Sequence, residues 1–226
     1  MSENALTRHA LGGAVPARSE APSERERLLA AAHAAIALLL LLVLLPLLLL
    51  IAAGIFVEDR GPVLFAHRRV GRGGRPFRCM KFRTMARDAE TRLAELLENN
   101  PTAREEWRRD QKLRRDPRVT RLGAILRRSS LDELPQLLNV IRGEMNLVGP
   151  RPIVQAEVAR YGGRIRHYYA VKPGITGLWQ VSGRNDVSYR TRVAMDCLYA
   201  RNRGLLLDGW LILRTVPAVL LKRGCY

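Results

Sequence analysis

Metal-binding and disulfide frameworks are missing from this sequence. It holds three cysteines, Cys79, Cys197 and Cys225, an odd number without CxxC spacing. That points away from a disulfide scaffold or a zinc ribbon and leaves reduced thiols as the expectation. The four histidines, His9, His33, His67 and His167, lack the spacing of a metal-binding helix, so none is given a catalytic role. No internal repeat is present. Acidic residues are scarce: 21 Asp and Glu stand against 38 Lys and Arg, for a net charge of +17 and a pI near 11.1. The imbalance favours a partner carrying phosphate, whether nucleic acid, anionic lipid or a phosphorylated small molecule, and does not choose among them. At 226 residues the chain holds one ordinary domain with additions rather than several domains.

Uncharged apolar sequence is abundant and concentrated in one run. Residues 1–27 are rich in Ala, Ser, Pro, Arg and Glu without apolar periodicity, the composition of a flexible tail. From Leu28 to Val57 no formal charge occurs. One straight helix of that length measures roughly 45 Å, against a hydrocarbon core of about 30 Å. The run is also longer than the h-region of a secretory signal, about 7 to 15 residues, so segment 28–57 is expected to stay as a membrane anchor. Pro46 lies inside it, where it removes a backbone donor and predicts a kink or break. Two geometries follow: a kinked span, or a helix-break-helix hairpin that enters and leaves by the same face. Upstream, Arg8, Arg18, Arg25 and Arg27 balance Glu3, Glu20, Glu24 and Glu26, while the downstream side is strongly basic and is expected in the cytoplasm.

After the anchor, the spacing predicts a β-hairpin with strands over Val63–Arg69 and Phe77–Arg83, joined by a turn at Gly71, Gly73 and Gly74. That glycine group lacks the strand-to-helix context of a phosphate-binding loop. Two helices are expected between Asp88 and Lys112, divided near Asn99-Asn100-Pro101, and another over Thr120–Arg128. In SSLDELPQLLNVIRG, the residues Leu131, Leu134, Leu138 and Ile141 recur at helical spacing and Gly143 supplies a stop. Two closing helices are expected over Ser188–Asn202 and Leu205–Leu221, the second apolar enough to lie on protein or on the membrane surface.

The acidic pair Asp132-Glu133 admits two readings. Ser130-Leu131-Asp132-Glu133 has the form of a capping box, in which Ser130 and Glu133 satisfy each other's backbone donors. Alternatively, Asp132 in a first helical turn is held ionised by the helix dipole and attacks phosphorus, with Glu133 a hard oxygen ligand for Mg²⁺. A diphosphate substrate then needs cations brought from elsewhere. Arg127, Arg151 (between Pro150 and Pro152) and Arg184 are the candidates.

Taken together, the apolar anchor with Pro46, PVLFAHRRVG, MKFRTM, LRRSSLDELPQLLNVIRGEMNLVGPRP and KPGITGLWQVSGRND occur in an order and at a spacing that resembles the monotopic polyprenyl-phosphate phosphoglycosyl transferases, the bacterial sugar transferase family. The likeness runs from about Leu28 to the C-terminus and is greatest for short enzymes that start exopolysaccharide synthesis, particularly the galactosyl type. It implies an α+β, helix-rich fold with a tail over 1–27, a re-entrant membrane helix over 28–57 and a cytoplasmic catalytic domain over 58–226, at the inner membrane of a bacterium. It implies that Asp132 attacks the β-phosphorus of a UDP-sugar, expelling UMP, and that undecaprenyl phosphate then takes the sugar phosphate. Glu133 with Asp132 would hold Mg²⁺. Arg127, Arg151 and Arg184 would bind phosphate, and Lys81, Arg83, Gln180 and Asn185 are further candidates for substrate contact. Inner-membrane lipid is an implied partner, nucleic acid is not, and the resemblance leaves room for a homodimer. One departure stands out: the family commonly breaks its membrane helix at Ser-Pro, whereas Leu45 precedes Pro46 here. Two other readings stay open. A membrane-attached glycosyltransferase would release UDP, although no DxD motif is evident, and a non-enzymatic basic binding protein would leave SLDE, GPRP and SGRN unexplained.

Overall fold

The computed structural model describes residues 23–110, 113, 115–182 and 187–220. It is helix-rich α+β, with two small two-stranded sheets. The long helix α1 (Glu24–Glu58) opens on Ser23, whose Oγ accepts from the Glu26 backbone N–H at 3.2 Å while the Glu26 carboxylate accepts from Ser23 N–H at 3.3 Å. This capping box starts the helix one turn before the apolar run. Pro46 does not interrupt it: the secondary structure continues through to Glu58, so the break expected there is absent, although the proline still deprives Leu42 of its usual N–H partner. By length and composition α1 is the one helix among the described residues long and apolar enough to cross a membrane.

The strands β1 (Leu64–Val70) and β2 (Pro76–Phe82) pair antiparallel with Leu64 opposite Phe82 and Val70 opposite Pro76, one residue off the expected bounds. Gly73 and Gly74 take left-handed backbone at φ 66° and 75°, which the tight connection demands and side chains resist. The helices α2 (Ala89–Asn99) and α3 (Pro101–Asp110) divide at Asn100, since Pro101 suits a first helical turn but not an interior. Thr120 caps α4 (Arg121–Ser129), its Oγ1 accepting from Gly123 N–H at 2.9 Å.

SSLDELPQLLNVIRG is not the single helix that its leucine spacing suggested. Ser130 adopts left-handed backbone (φ 58°), Leu131–Glu133 form a 3-10 turn, and only Gln136–Ile141 make an α-helix, α5. The break at Pro135 resets the helical phase. The buried residues of α5 are accordingly Gln136, Leu137, Asn139 and Val140, while Ile141 is exposed. Two strands escaped the sequence reading: β3 (Asn146–Val148) runs parallel to β4 (Gly174–Thr176). At three residues each they are too short to carry a periodic signal. The helices α6 (Val158–Tyr161), α7 (Ile165–Tyr169), α8 (Leu178–Ser182), α9 (Tyr189–Asn202) and α10 (Leu205–Leu220) complete the fold.

The apolar helix α1 is part of the core rather than an appendage. Ala37 packs with Phe77, Leu137, Val148, Tyr199 and Leu211, while Leu48, Ile51 and Ile55 pack with Phe82 and Leu126. Its other face leaves Leu39, Leu42, Val43, Leu49 and Leu50 exposed. The two elements on either side of the acidic pair's 3-10 turn, β2 and α5, are joined by Asn139, which has no solvent exposure. Its Oδ1 accepts from Met80 N–H at 2.9 Å, and its Nδ2 donates to Arg78 O at 2.8 Å and Glu144 Oε2 at 2.6 Å. Asn139→Ala strands these buried groups and is expected to cost about 3 kcal/mol, seen as a fall in Tm of roughly 5–10 °C. A thermal melt of the variant in detergent that matches the parent would refute this role.

Candidate active site

Because Asn139 pins β2 against α5, Lys81 projects from β2 onto the 3-10 turn. Its Nζ lies 2.6 Å from Glu133 Oε1 and 3.5 Å from Asp132 Oδ2, bridging both carboxylates. Asp132 is buried and Glu133 half-buried. The helical capping box expected of SLDE does not form: the Ser130 side chain caps nothing, since this residue ends α4 in left-handed backbone, and the Glu133 carboxylate is committed to Lys81. Left-handed backbone at a non-glycine residue costs on the order of 1 kcal/mol, and here it turns the chain so that Leu131–Glu133 face β2. Helix-dipole support for Asp132 is also weaker than expected, because the residue sits in a one-turn 3-10 segment; Lys81 and Arg127 provide the positive field instead.

Glu133 and Lys81 line a pocket with Arg69, Arg151, Gln136 and Gln180. Arg69 donates to Pro152 O at 3.3 Å and lies 3.9 Å from Glu157. Val70 N–H donates to Ile153 O at 2.9 Å, and the Tyr168 hydroxyl donates to Val70 O at 2.7 Å while accepting from Ile153 N–H at 3.2 Å. These bonds fasten the GPRP loop to the hairpin, which brings Arg69 and Arg151 to one pocket. Arg151 lies 5.9 Å above the Trp179 ring, and Arg192 lies 4.5 Å from the same ring. Gln180 Oε1 is buried without a hydrogen-bond partner among the described residues. Arg127 does not line this pocket; its Nε donates to Thr84 Oγ1 at 2.8 Å, and its charge acts on Asp132. Arg83 lies elsewhere, its guanidinium bonding the backbone and carboxylate of Asp59 at the end of α1. Arg184 and Asn185 lie outside the described residues.

A sequence profile of bacterial sugar transferases matches residues 25–222. The chain belongs to the bacterial sugar transferase family. It is 54% identical over 168 residues to an exopolysaccharide production protein, ExoY, of Sinorhizobium fredii, covering 74% of each chain. It is 52% identical to the undecaprenyl-phosphate galactose phosphotransferase of Salmonella typhimurium, over 74% of this chain and 35% of that one. It is 42% identical to a UDP-glucose:undecaprenyl-phosphate glucose-1-phosphate transferase of Caulobacter vibrioides, over 77% and 63% respectively. The chain therefore spans about three quarters of the first relative and about a third of the second.

In this sugar transferase the two carboxyl groups are driven apart. Burial raises Asp132 above the ordinary aspartate value of 3.8, and Lys81 and Arg127 only partly offset the effect of burial and of Glu133. Burial also acts to raise Glu133, but Lys81, Arg151 and Arg69 outweigh it and hold that carboxyl below 4.5. Cys79, beside Lys81, has its thiol pushed up to about 11 by burial, so it stays protonated and is no nucleophile at neutral pH.

Among the described residues no group of three or more His, Cys, Asp or Glu side chains could enclose a metal. The pair nevertheless suits Mg²⁺, which typically takes one or two protein carboxylates together with substrate phosphates. Glu133 is ionised and reaches the pocket, and Lys81, on a flexible stem, is the cation that would give way.

Arg69 and Gln136 were not singled out by the sequence reading. Arg69 was one of several arginines in a hairpin, and only its position on β1 opposite the GPRP loop distinguishes it. Lys81→Met removes the bridging cation, so both carboxyl groups should titrate at higher pH than in the parent. Carboxyl ¹³C NMR checks this, and unchanged titrations would show that Lys81 does not set the pair's charge.

Proposed function

We propose that this enzyme transfers a hexose-1-phosphate, galactose or glucose, from a UDP-sugar to undecaprenyl phosphate as the first membrane step of exopolysaccharide synthesis. The observation that carries the reading is one constellation: Glu133, Lys81, Arg69 and Arg151 line one pocket, and Asp132, buried and not itself part of the lining, lies 3.5 Å from the Lys81 Nζ that contacts Glu133. Relatives named for this transfer to undecaprenyl phosphate support it.

The residues divide the work as follows. A carboxylate oxygen of Asp132 attacks the β-phosphorus of the UDP-sugar, a phosphorus–oxygen bond forms, and the bond to UMP breaks, so UMP leaves with that bonding pair. An oxygen of undecaprenyl phosphate then attacks the same phosphorus, Asp132 departs as a carboxylate, and the product is an undecaprenyl diphosphate sugar. Arg69 and Arg151 hold the diphosphate oxygens in the pocket, with Arg127 adding positive charge near Asp132 and Arg184 assigned the same role from the SGRN segment. Gln180 and Asn185 are proposed to contact the substrate. Lys81 shields the two carboxylates from each other and from the incoming phosphates. Mg²⁺ bound at Glu133 and Asp132 would neutralise charge on the diphosphate as it is cleaved.

The anchor is read as monotopic, with both ends on the cytoplasmic face of the inner membrane. At its start Glu26 pairs with Arg72 and Arg203, and at its end Asp59 pairs with Arg83 while its carboxylate accepts from Arg87 N–H at 2.9 Å. Both ends thus bind one and the same polar body. A perpendicular crossing would carry one of these ion-paired ends through the bilayer, where unsolvated charge is costly. On this reading α1 re-enters by bending at Pro46, where the missing backbone N–H removes one helical hydrogen bond, although the helix is continuous there in the structure.

Asp132→Asn is expected to abolish UMP release from a UDP-sugar. Its Tm should equal or exceed the parent's, because the native site disfavours the charged carboxylate that the amide replaces. Mass spectrometry of the parent, quenched without undecaprenyl phosphate, should find a hexose phosphate on Asp132. An adduct elsewhere, or UDP as product, overturns the mechanism. For the anchor, Arg25→Cys and Glu58→Cys should both react with an impermeant thiol reagent from the cytoplasmic face alone; labelling from opposite faces establishes a span.

A further inference from the structure

A second cavity, built from none of the residues that line the pocket beside Glu133, opens where α1 meets the globular body. Glu26 and Leu29 of α1, Arg72 of the hairpin turn, Asn146 of β3, Lys172 and Arg203 line it. Arg72 donates to one Glu26 carboxylate oxygen at 3.2 Å and Arg203 donates to the other. The same carboxylate closes the capping box with Ser23, so it is fully committed. Three cations, Arg72, Lys172 and Arg203, thus meet one carboxylate, an excess of two positive charges.

Among the described residues Lys172 has no ion-pair partner. Burial lowers its ammonium below the ordinary lysine range, the charge of Arg72 adds to this, and Glu26 offsets only part. A half-buried cation under repulsion gains from an anion placed beside it. Asn146 lines the same cavity, and its buried Oδ1 has no hydrogen-bond partner among the described residues. The chemistry wanted here is an oxyanion with several acceptor oxygens, the match for guanidinium and ammonium donors.

Position specifies what carries that oxyanion. Leu28, beside the cavity-lining Leu29, begins the uncharged apolar run, and Leu205 and Leu206, just after Arg203, are exposed at 68% and 93%. A basic cavity at the edge of an apolar surface meets the headgroup layer of a bilayer, where anionic phosphates concentrate. We propose that Arg72, Lys172 and Arg203 form a lipid-phosphate site at the membrane surface, separate from the catalytic pocket, that takes the phosphate of an anionic phospholipid or of the polyprenyl phosphate carrier. The site rests on the membrane reading above. Occupied, it ties the start of α1, the β-hairpin turn and the ends of β3 and α9 to one lipid.

The test uses the full chain in phosphatidylcholine nanodiscs, titrated with phosphatidylglycerol or with undecaprenyl phosphate, with retained lipid read by native mass spectrometry. The parent should retain at least one of the two, and the one retained names the source. Lys172→Gln should weaken retention about tenfold, and Lys172→Glu more. Arg166→Ala, an exposed charge outside the cavity, should leave it unchanged. Among the described residues Lys172 makes no ion pair, so the variants are expected to keep the parental circular dichroism. Retention of neither lipid by the parent, retention unaltered in Lys172→Glu, or retention lost equally in Arg166→Ala overturns the site. UMP release from a UDP-sugar, measured without added lipid, reports on the transferase chemistry separately, so that reading stands or falls on its own.

Discussion

The acidic pair and the pocket beside it depend on one ammonium group. Lys81 lies between Asp132 and Glu133, two adjacent carboxylates that would otherwise repel each other in a partly buried place. At an effective dielectric near 20, unit charges about 4 Å apart interact by about 4 kcal/mol, enough to decide whether both carboxyl groups can be charged together. The lysine is held in place from behind by Asn139, which bonds the backbone on either side of Cys79 on β2 and so ties that strand to α5. Packing and electrostatics are therefore linked: the core asparagine sets the strand, the strand aims the lysine, and the lysine permits the acidic pair.

The pair is unequal, and the inequality has a structural source. Asp132 points into protein and loses water, so its ionised form is disfavoured. Glu133 faces the pocket with Arg69 and Arg151, so its ionised form is favoured. Environments that separate two carboxyl groups suit them to separate roles, and the proposed mechanism assigns the nucleophile to Asp132 and the standing anion to Glu133.

The long apolar helix α1 is bound into this arrangement. Its inner face completes two parts of the hydrophobic core and its ends are ion-paired to the hairpin turn, to Arg203 and to the residues that follow β2. Arg83 shows the consequence: a basic residue two positions from Lys81 serves the anchor rather than the pocket. Strand alternation alone would put Lys81 and Arg83 on one face, but Arg83 lies just past the end of β2 and its guanidinium reaches Asp59 at the end of α1.

Sequence alone determined the long apolar helix, the β-hairpin, the division at Asn100-Pro101, the closing helices and the acidic pair, because each has a local signature in charge, periodicity or turn chemistry. Tertiary structure decided what those signatures could not carry. The leucine spacing after Ser130 suggested one helix, and the left-handed turn with Pro135 made it a 3-10 segment and a short helix of different phase. The parallel pair β3 and β4 joins strands of three residues that are distant in sequence. Arg69 became a pocket residue only through the bonds that fasten Ile153 to Val70. Local pattern records what each residue prefers, whereas the meeting of Lys81, Arg69 and Arg151 around one carboxylate pair is a property of chain segments far apart, and only close packing brings it about.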